Sequence, residues 1–138
     1  MKAIPHLVAI ALAFGVTPSL FADPASTAAA DFTNAQPLDV DLSSFSFSPA
    51  RIVLKAGQPY ALTLINTSSG GHNFAAPQFF AASTIAPQDS GRINKGKVEL
   101  AGGASTTIHL IPKAGTYKLT CTHFAHSTLG MIGQIVVR

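Results

Sequence analysis

The chain has 138 residues, 47% of them apolar and 11% charged, with a formal net charge of +3. That balance suits one folded domain and excludes a disordered chain. The charge is mild, and the closest cationic grouping, Arg92, Lys95 and Lys97, has no aromatic platform beside it. It reads as a solvated turn, and a nucleic-acid surface is excluded.

In chain order, the first feature is a secretory pattern. Lys2 supplies the positive start, residues 7–16 an apolar run, and Ser19, Leu20, Phe21 and Ala22 a cleavage region. The run is shorter than the ~20 apolar residues a bilayer span requires. Residues 1–22 are therefore read as a signal peptide, with a cut after Ala30 as a second option. Removal leaves an exported protein, periplasmic in a bacterium, with no stable membrane insertion. Residues 23–36 are rich in Ala, Ser and Thr and read as a flexible lead. Residues 37–138 read as one domain.

Within that domain, Leu38, Val40 and Leu42 alternate with Asp39 and Asp41, and Phe45 and Phe47 continue the period of two. Strands are predicted next at 51–54, 60–66 and 72–75, separated by turn clusters rich in Gly, Pro and Ser. The long connection 77–95 is expected to hold one or two helical turns near 78–84. Strands follow at 97–100, 105–111, 116–121 and 131–138. His109 alternates with Ile108 and Leu110 and is expected to face away from the core with no partner. Phe45, Phe47, Phe79 and Phe80 are expected in the core. Seven to eight short strands at this spacing predict an all-β, antiparallel-rich sandwich with one short helical connection.

The chemistry concentrates near the C-terminus. Cys121, His126 and Met131 lie in one inter-strand loop, and His72 lies far upstream after Gly70 and Gly71. Cys121 is the only cysteine, so the thiol cannot close an internal disulfide in an oxidising compartment. Taken singly, a Cys and a Met are most often packing, and a His is most often solvated. Taken together, a thiolate, two imidazoles and a thioether suit copper cycling between Cu(I) and Cu(II). Zinc ordinarily takes four strong tetrahedral ligands, and a long thioether contact offers it little.

The segments Phe47-Ser48-Pro49, Lys55-Ala56-Gly57, Gly71-His72-Asn73-Phe74 and Gly115-Thr116-Tyr117 leading into the Cys121 loop resemble the cupredoxins, the blue-copper family of plastocyanin, azurin and auracyanin. The resemblance spans residues 38–137. The Cys, four residues, His, four residues, Met spacing is similar to the auracyanin-like loop. The resemblance implies a Greek-key sandwich and one copper ion. It assigns His72, Cys121 and His126 to the trigonal plane, Met131 to the axial position, and the Gly71 carbonyl to a weak approach from the opposite side. Asn73 would tie the two ligand loops together near Thr122. His123, two residues after Cys121, is a competitor for the ligand position of His126 or else a solvated loop histidine.

The implied activity is one-electron transfer by a monomer, with redox partners docking weakly near His126. Phe124, Ala125, Leu129, Ala76 and Pro77 are either packing around the site or an apolar docking patch. A copper carrier using the same ligands is the alternative. An enzyme with Cys121 as nucleophile and a His as base is disfavoured, because the apolar strand setting and the clustered His and Met fit a metal better; a copper enzyme would need an open coordination position, which Met131 is expected to fill.

Overall fold

The computed structural model describes residues 29–126 and 128–138. The predicted signal peptide lies outside these residues, as does the lead up to residue 28. The strands are β1 (Gln36–Ser43), β2 (Ser46–Ser48), β3 (Arg51–Leu54), β4 (Tyr60–Asn66), β5 (His72–Ala75), β6 (Thr84–Ile85), β7 (Lys97–Leu100), β8 (Ser105–Ile111), β9 (Gly115–Thr120) and β10 (Ile132–Val137). They form two five-stranded sheets, ordered β2-β1-β4-β8-β6 and β3-β10-β9-β5-β7.

The period of two drives this arrangement. Val40, Leu42, Leu62, Leu64, Ile108 and Leu110 project from the first sheet, and Ile52, Phe74, Val98, Leu119 and Ile135 from the second. All belong to one buried cluster between the sheets. Their alternate neighbours are exposed or half-buried, except along β5, where all four residues are buried.

Two pairings are parallel, β1 with β4 and β3 with β10. The second brings β3 beside the strand nearest the C-terminus, so the fold is tied by non-local contacts. The strand nearest the C-terminus sits between β3 and β9, inside its sheet.

The structure refines the predicted elements at three places. The alternation from Leu38 to Phe47 is two strands, because the chain reverses after Ser43. Phe45 takes a positive φ of 63° at the tip, and β2 folds back in register with β1. Alternation along a sequence cannot distinguish a continuing strand from a tight hairpin. Phe47 is core, whereas Phe45 is exposed, contrary to the expectation for it. β6 adds a short edge strand, so ten strands stand where seven to eight were expected.

The long connection contains two helical pieces instead of one. The helix α1 (Pro77–Ala82) starts on a proline, whose fixed φ suits a first helical turn. It buries Phe79 and Phe80 against the core. A 3-10 helix, Pro87–Arg92, follows. A tight turn then leads into β7, with Asn94 and Lys97 exchanging backbone hydrogen bonds of 2.8 and 3.0 Å. Lys95 and Gly96 both take positive φ, 49° and 73°, which is the pattern of a type I′ turn. Gly96 also packs so closely on Pro77 that a Cβ would collide with it.

Candidate metal centre

β5 and β9 lie side by side in the second sheet, with Ala75 opposite Thr120. This pairing brings the start of β5, where His72 lies, level with the loop that leaves β9 through Cys121. Nested backbone hydrogen bonds shape that loop. Its amides at His126, Leu129 and Met131 donate to the carbonyls of His123, Ala125 and His126 at 3.1, 3.0 and 2.9 Å. Cys121 N–H donates to the Met131 carbonyl at 3.2 Å, which closes the base of the loop. The four-residue spacings therefore set the ends of two interlocked turns.

His72, Cys121 and His126 converge there. The two Nδ1 atoms are 3.1 Å apart. Cys121 Sγ lies 3.3 Å from His126 Nδ1 and 3.9 Å from His72 Nδ1. The point common to these three corners is about 2 Å from each, which is the range of metal–imidazole bonds and slightly inside metal–thiolate bonds. Among the described residues this is the group of His, Cys, Asp and Glu side chains placed to hold a metal ion. The donor set fits copper: one soft sulfur and two imidazole nitrogens, each offering a lone pair to the same point.

Cys121 and Met131 are fully buried, and His72 is nearly so. Met131 follows directly on the loop, its backbone bonded to both Cys121 and His126. Burial, followed by the neighbouring charges of His126 and His123, holds the His72 imidazole below its ordinary value of 6.5. The ring is thus neutral at neutral pH, with a lone pair free for a cation.

The surroundings lock this geometry. Asn73 Nδ2 donates to Thr122 Oγ1 at 2.8 Å, and Thr122 N–H donates to Asn73 Oδ1 at 2.9 Å. This is the tie between ligand loops expected of Asn73 and Thr122. The backbone N–H of Asn73 also points at Cys121 Sγ, 3.5 Å away. Gly71 stands directly before His72 and packs on His123, where a Cβ would meet the ring at 3.3 Å.

Three features of the site were not anticipated from the sequence. Glu99, opposite Asn73 on β7, accepts from Asn73 Nδ2 at 2.7 Å and bonds His123 Nε2 at 2.9 Å. His123 thereby turns its outer nitrogen to Glu99 while its ring stacks on His126, with centroids 5.4 Å apart. Phe45 meets the His126 ring edge-on at 5.2 Å. Only the alternation of Glu99 with the buried Val98 and Leu100 signalled that Glu99 shares a face with Asn73.

Of the flanking residues, Ala76 is core, while Phe124 is 97% exposed and Leu129 59% exposed. His109 also departs from expectation. Its ring Nδ1 and backbone N–H both bond Asp89 Oδ2 at 2.8 Å, at the edge of the first sheet.

The sequence matches the family model of the cupredoxin-like domain over residues 7–137. No curated protein sequence matches it. Among solved structures, dithionite-reduced auracyanin from the photosynthetic bacterium Roseiflexus castenholzii is similar, with a TM-score of 0.57 at 18% identity over 75% of this chain and 98% of that one. Auracyanin B gives a TM-score of 0.57 at 18% identity, over 79% of this chain and 93% of its own. The McoA multicopper oxidase of the hyperthermophile Aquifex aeolicus gives 0.61 at 14% identity, over 79% of this chain and 30% of the oxidase. At these identities the structural likenesses speak for the fold. The chain belongs to the cupredoxin-like family, whose members hold one copper ion, and its His72, Cys121, His126 and Met131 form the residue pattern of a type 1 copper site.

Proposed function

We propose that this protein is an exported carrier of single electrons, in which His72, Cys121, His126 and Met131 would hold one copper ion and the Gly71 carbonyl would be a further, weak donor. The carrying observation is the convergence of two ring nitrogens and one buried sulfur about a common point some 2 Å from each. Bound copper supplies the one-electron change between Cu(I) and Cu(II).

The chain's own residues keep that change inexpensive. The nested loop bonds and the Asn73–Thr122 tie resist movement of the ligands, so little reorganisation accompanies a change of charge. The Asn73 N–H facing Cys121 Sγ withdraws electron density from the sulfur. Burial of Cys121 and Met131 keeps water away from them. Four protein donors would leave no open position for a substrate, which favours a carrier over an enzyme. A dithionite-reduced auracyanin among the similar structures is consistent with redox use of this fold.

His126 is the half-buried ligand, and Phe124, Leu129 and Phe45 are exposed on the same loop end. This small apolar surface suits weak docking of a redox protein, an encounter that typically buries under ~1,200 Å². Export rests on the signal pattern of residues 1–22.

The test is spectroscopic. Copper-loaded protein recovered from the exported fraction should be intensely coloured, begin after Ala22, and lose its visible band in Cys121→Ser. A colourless wild-type copper form would reject the reading.

A further inference from the structure

Lys95 and Lys97 read from the sequence as part of a solvated turn. In the fold they share a groove of about 300 Å³ with Lys118, which also takes in Thr120 and Thr122. Strand register explains the grouping. Lys97 on β7 stands opposite Ala75 on β5, and Ala75 stands opposite Thr120 on β9. Lys118 lies two residues before Thr120 and so shares its face. Lys95 reaches the same groove from the I′ turn that precedes β7.

No carboxylate lines this groove. Among the described residues the ion pairs are Arg92–Asp89, His109–Asp89 and His123–Glu99, and none involves the three lysines. Glu99, the nearest acid along β7, feels the charge of Lys97 but lies outside the groove and spends its hydrogen bonds on Asn73 and His123. Asp39 and Asp41 belong to β1 in the other sheet, and Asp89 is buried. The cationic face continues beyond the groove. Across β9, β10 and β3, Lys118, Gln134 and Arg51 lie in register.

We propose that this groove is a docking surface for an acidic redox protein, whose carboxylates would pair with Lys95, Lys97 and Lys118. The proposal rests on the electron-carrier reading. Three like charges gathered in one concavity repel one another, and an anionic partner relieves that repulsion while steering the encounter. The lysines come from three separate elements, and their charge extends towards Arg51 along an open sheet face. That breadth suits a protein surface better than a small anion. The groove is also lined by Thr122, the residue after Cys121 and the one that Asn73 holds. A partner seated there is placed beside the sulfur ligand, on a different side from the apolar end around His126.

The experiment is an amide NMR titration of the ¹⁵N-labelled copper(I) protein with a deca-glutamate peptide at low ionic strength. Shifts should cluster at residues 95–97 and 118–122 and vanish at high salt, where exposed charges are screened. The Lys97→Glu/Lys118→Glu variant should bind at least about tenfold more weakly, because like charges then face each other. Absent shifts, or shifts centred on Phe124 and Leu129, would overturn the proposal. Equal shifts with inorganic phosphate at the same concentration would also overturn it, marking a small-anion pocket. The visible band is read separately in the oxidised protein. A colourless protein rejects the carrier reading, while the peptide titration still decides the groove.

Discussion

Asn73 is nearly buried, and every polar atom of its side chain is engaged: Nδ2 by Glu99 and Thr122, Oδ1 by Thr122 N–H. Glu99 is the outer member of this chain of bonds. Burial works to raise its pKa, but the hydrogen bonds from His123 and Asn73 outweigh it and hold the carboxyl below its ordinary range. The result is a fixed negative charge beside the ligand loop at neutral pH. Glu99→Gln keeps an acceptor for Asn73 and removes the charge. It should raise the copper reduction potential, since a nearby anion favours the more positive oxidation state. Glu99→Ala should raise it as well, loosen His123, and cost about 1 kcal/mol of stability through the lost hydrogen bonds. Voltammetry and thermal melting check this. Wild-type potentials in both variants would show that Glu99 has no hold on the centre.

At the scale of elements, the 3-10 helix has no large apolar face, yet it is pinned to β8. Asp89 is buried within it and accepts from the backbone and ring of His109, while Arg92 Nη1 donates to Asp89 and to the Thr107 carbonyl. Burial pushes the Asp89 pKa up, but the bonds from His109 and the charges of His109 and Arg92 prevail, so it sits below its ordinary 3.8. A folded pKa below the unfolded one means the carboxylate stabilises fully above the unfolded value. That contribution disappears as pH falls through the depressed folded value. Asp89→Asn should therefore cost about 2 kcal/mol at neutral pH, because its amide would face a donor. The gap to wild type should close as pH drops below the ordinary 3.8. Denaturant melts from pH 7 to pH 2 measure this, and a gap independent of pH would contradict it.

For the molecule as a whole, the ligands are donated by distant segments. Cys121 is 49 positions from His72, and the donors meet only once β5 and β9 have paired. An unfolded chain offers no such convergence, so copper binds the native state selectively and stabilises it. At a hundredfold excess over the dissociation constant the gain is about 2.7 kcal/mol, which in a domain of this size amounts to a rise of roughly 10 °C in Tm. Calorimetry of metal-free and copper-loaded protein tests this. Equal melting temperatures would mean that the site is no better formed in the folded chain than in the unfolded one.

Consecutive residues carry the local information. The alternation of Val40 with Asp41, or of Leu62 with Thr63, is a property of consecutive residues, and it marks strands and their inner faces. The order Cys121, His126, Met131 likewise states a donor set whose chemistry is intrinsic to its atoms. Tertiary structure decided what depends on partners. That Glu99 meets Asn73, that Asp89 receives His109, and that Lys97 and Lys118 share one groove all follow from which strands lie side by side. Phe45 meets His126 because a hairpin tip and a loop come to the same end of the sandwich. A period of two records the face on which a side chain stands. Register and sheet order, set by packing the whole core, decide what stands opposite it.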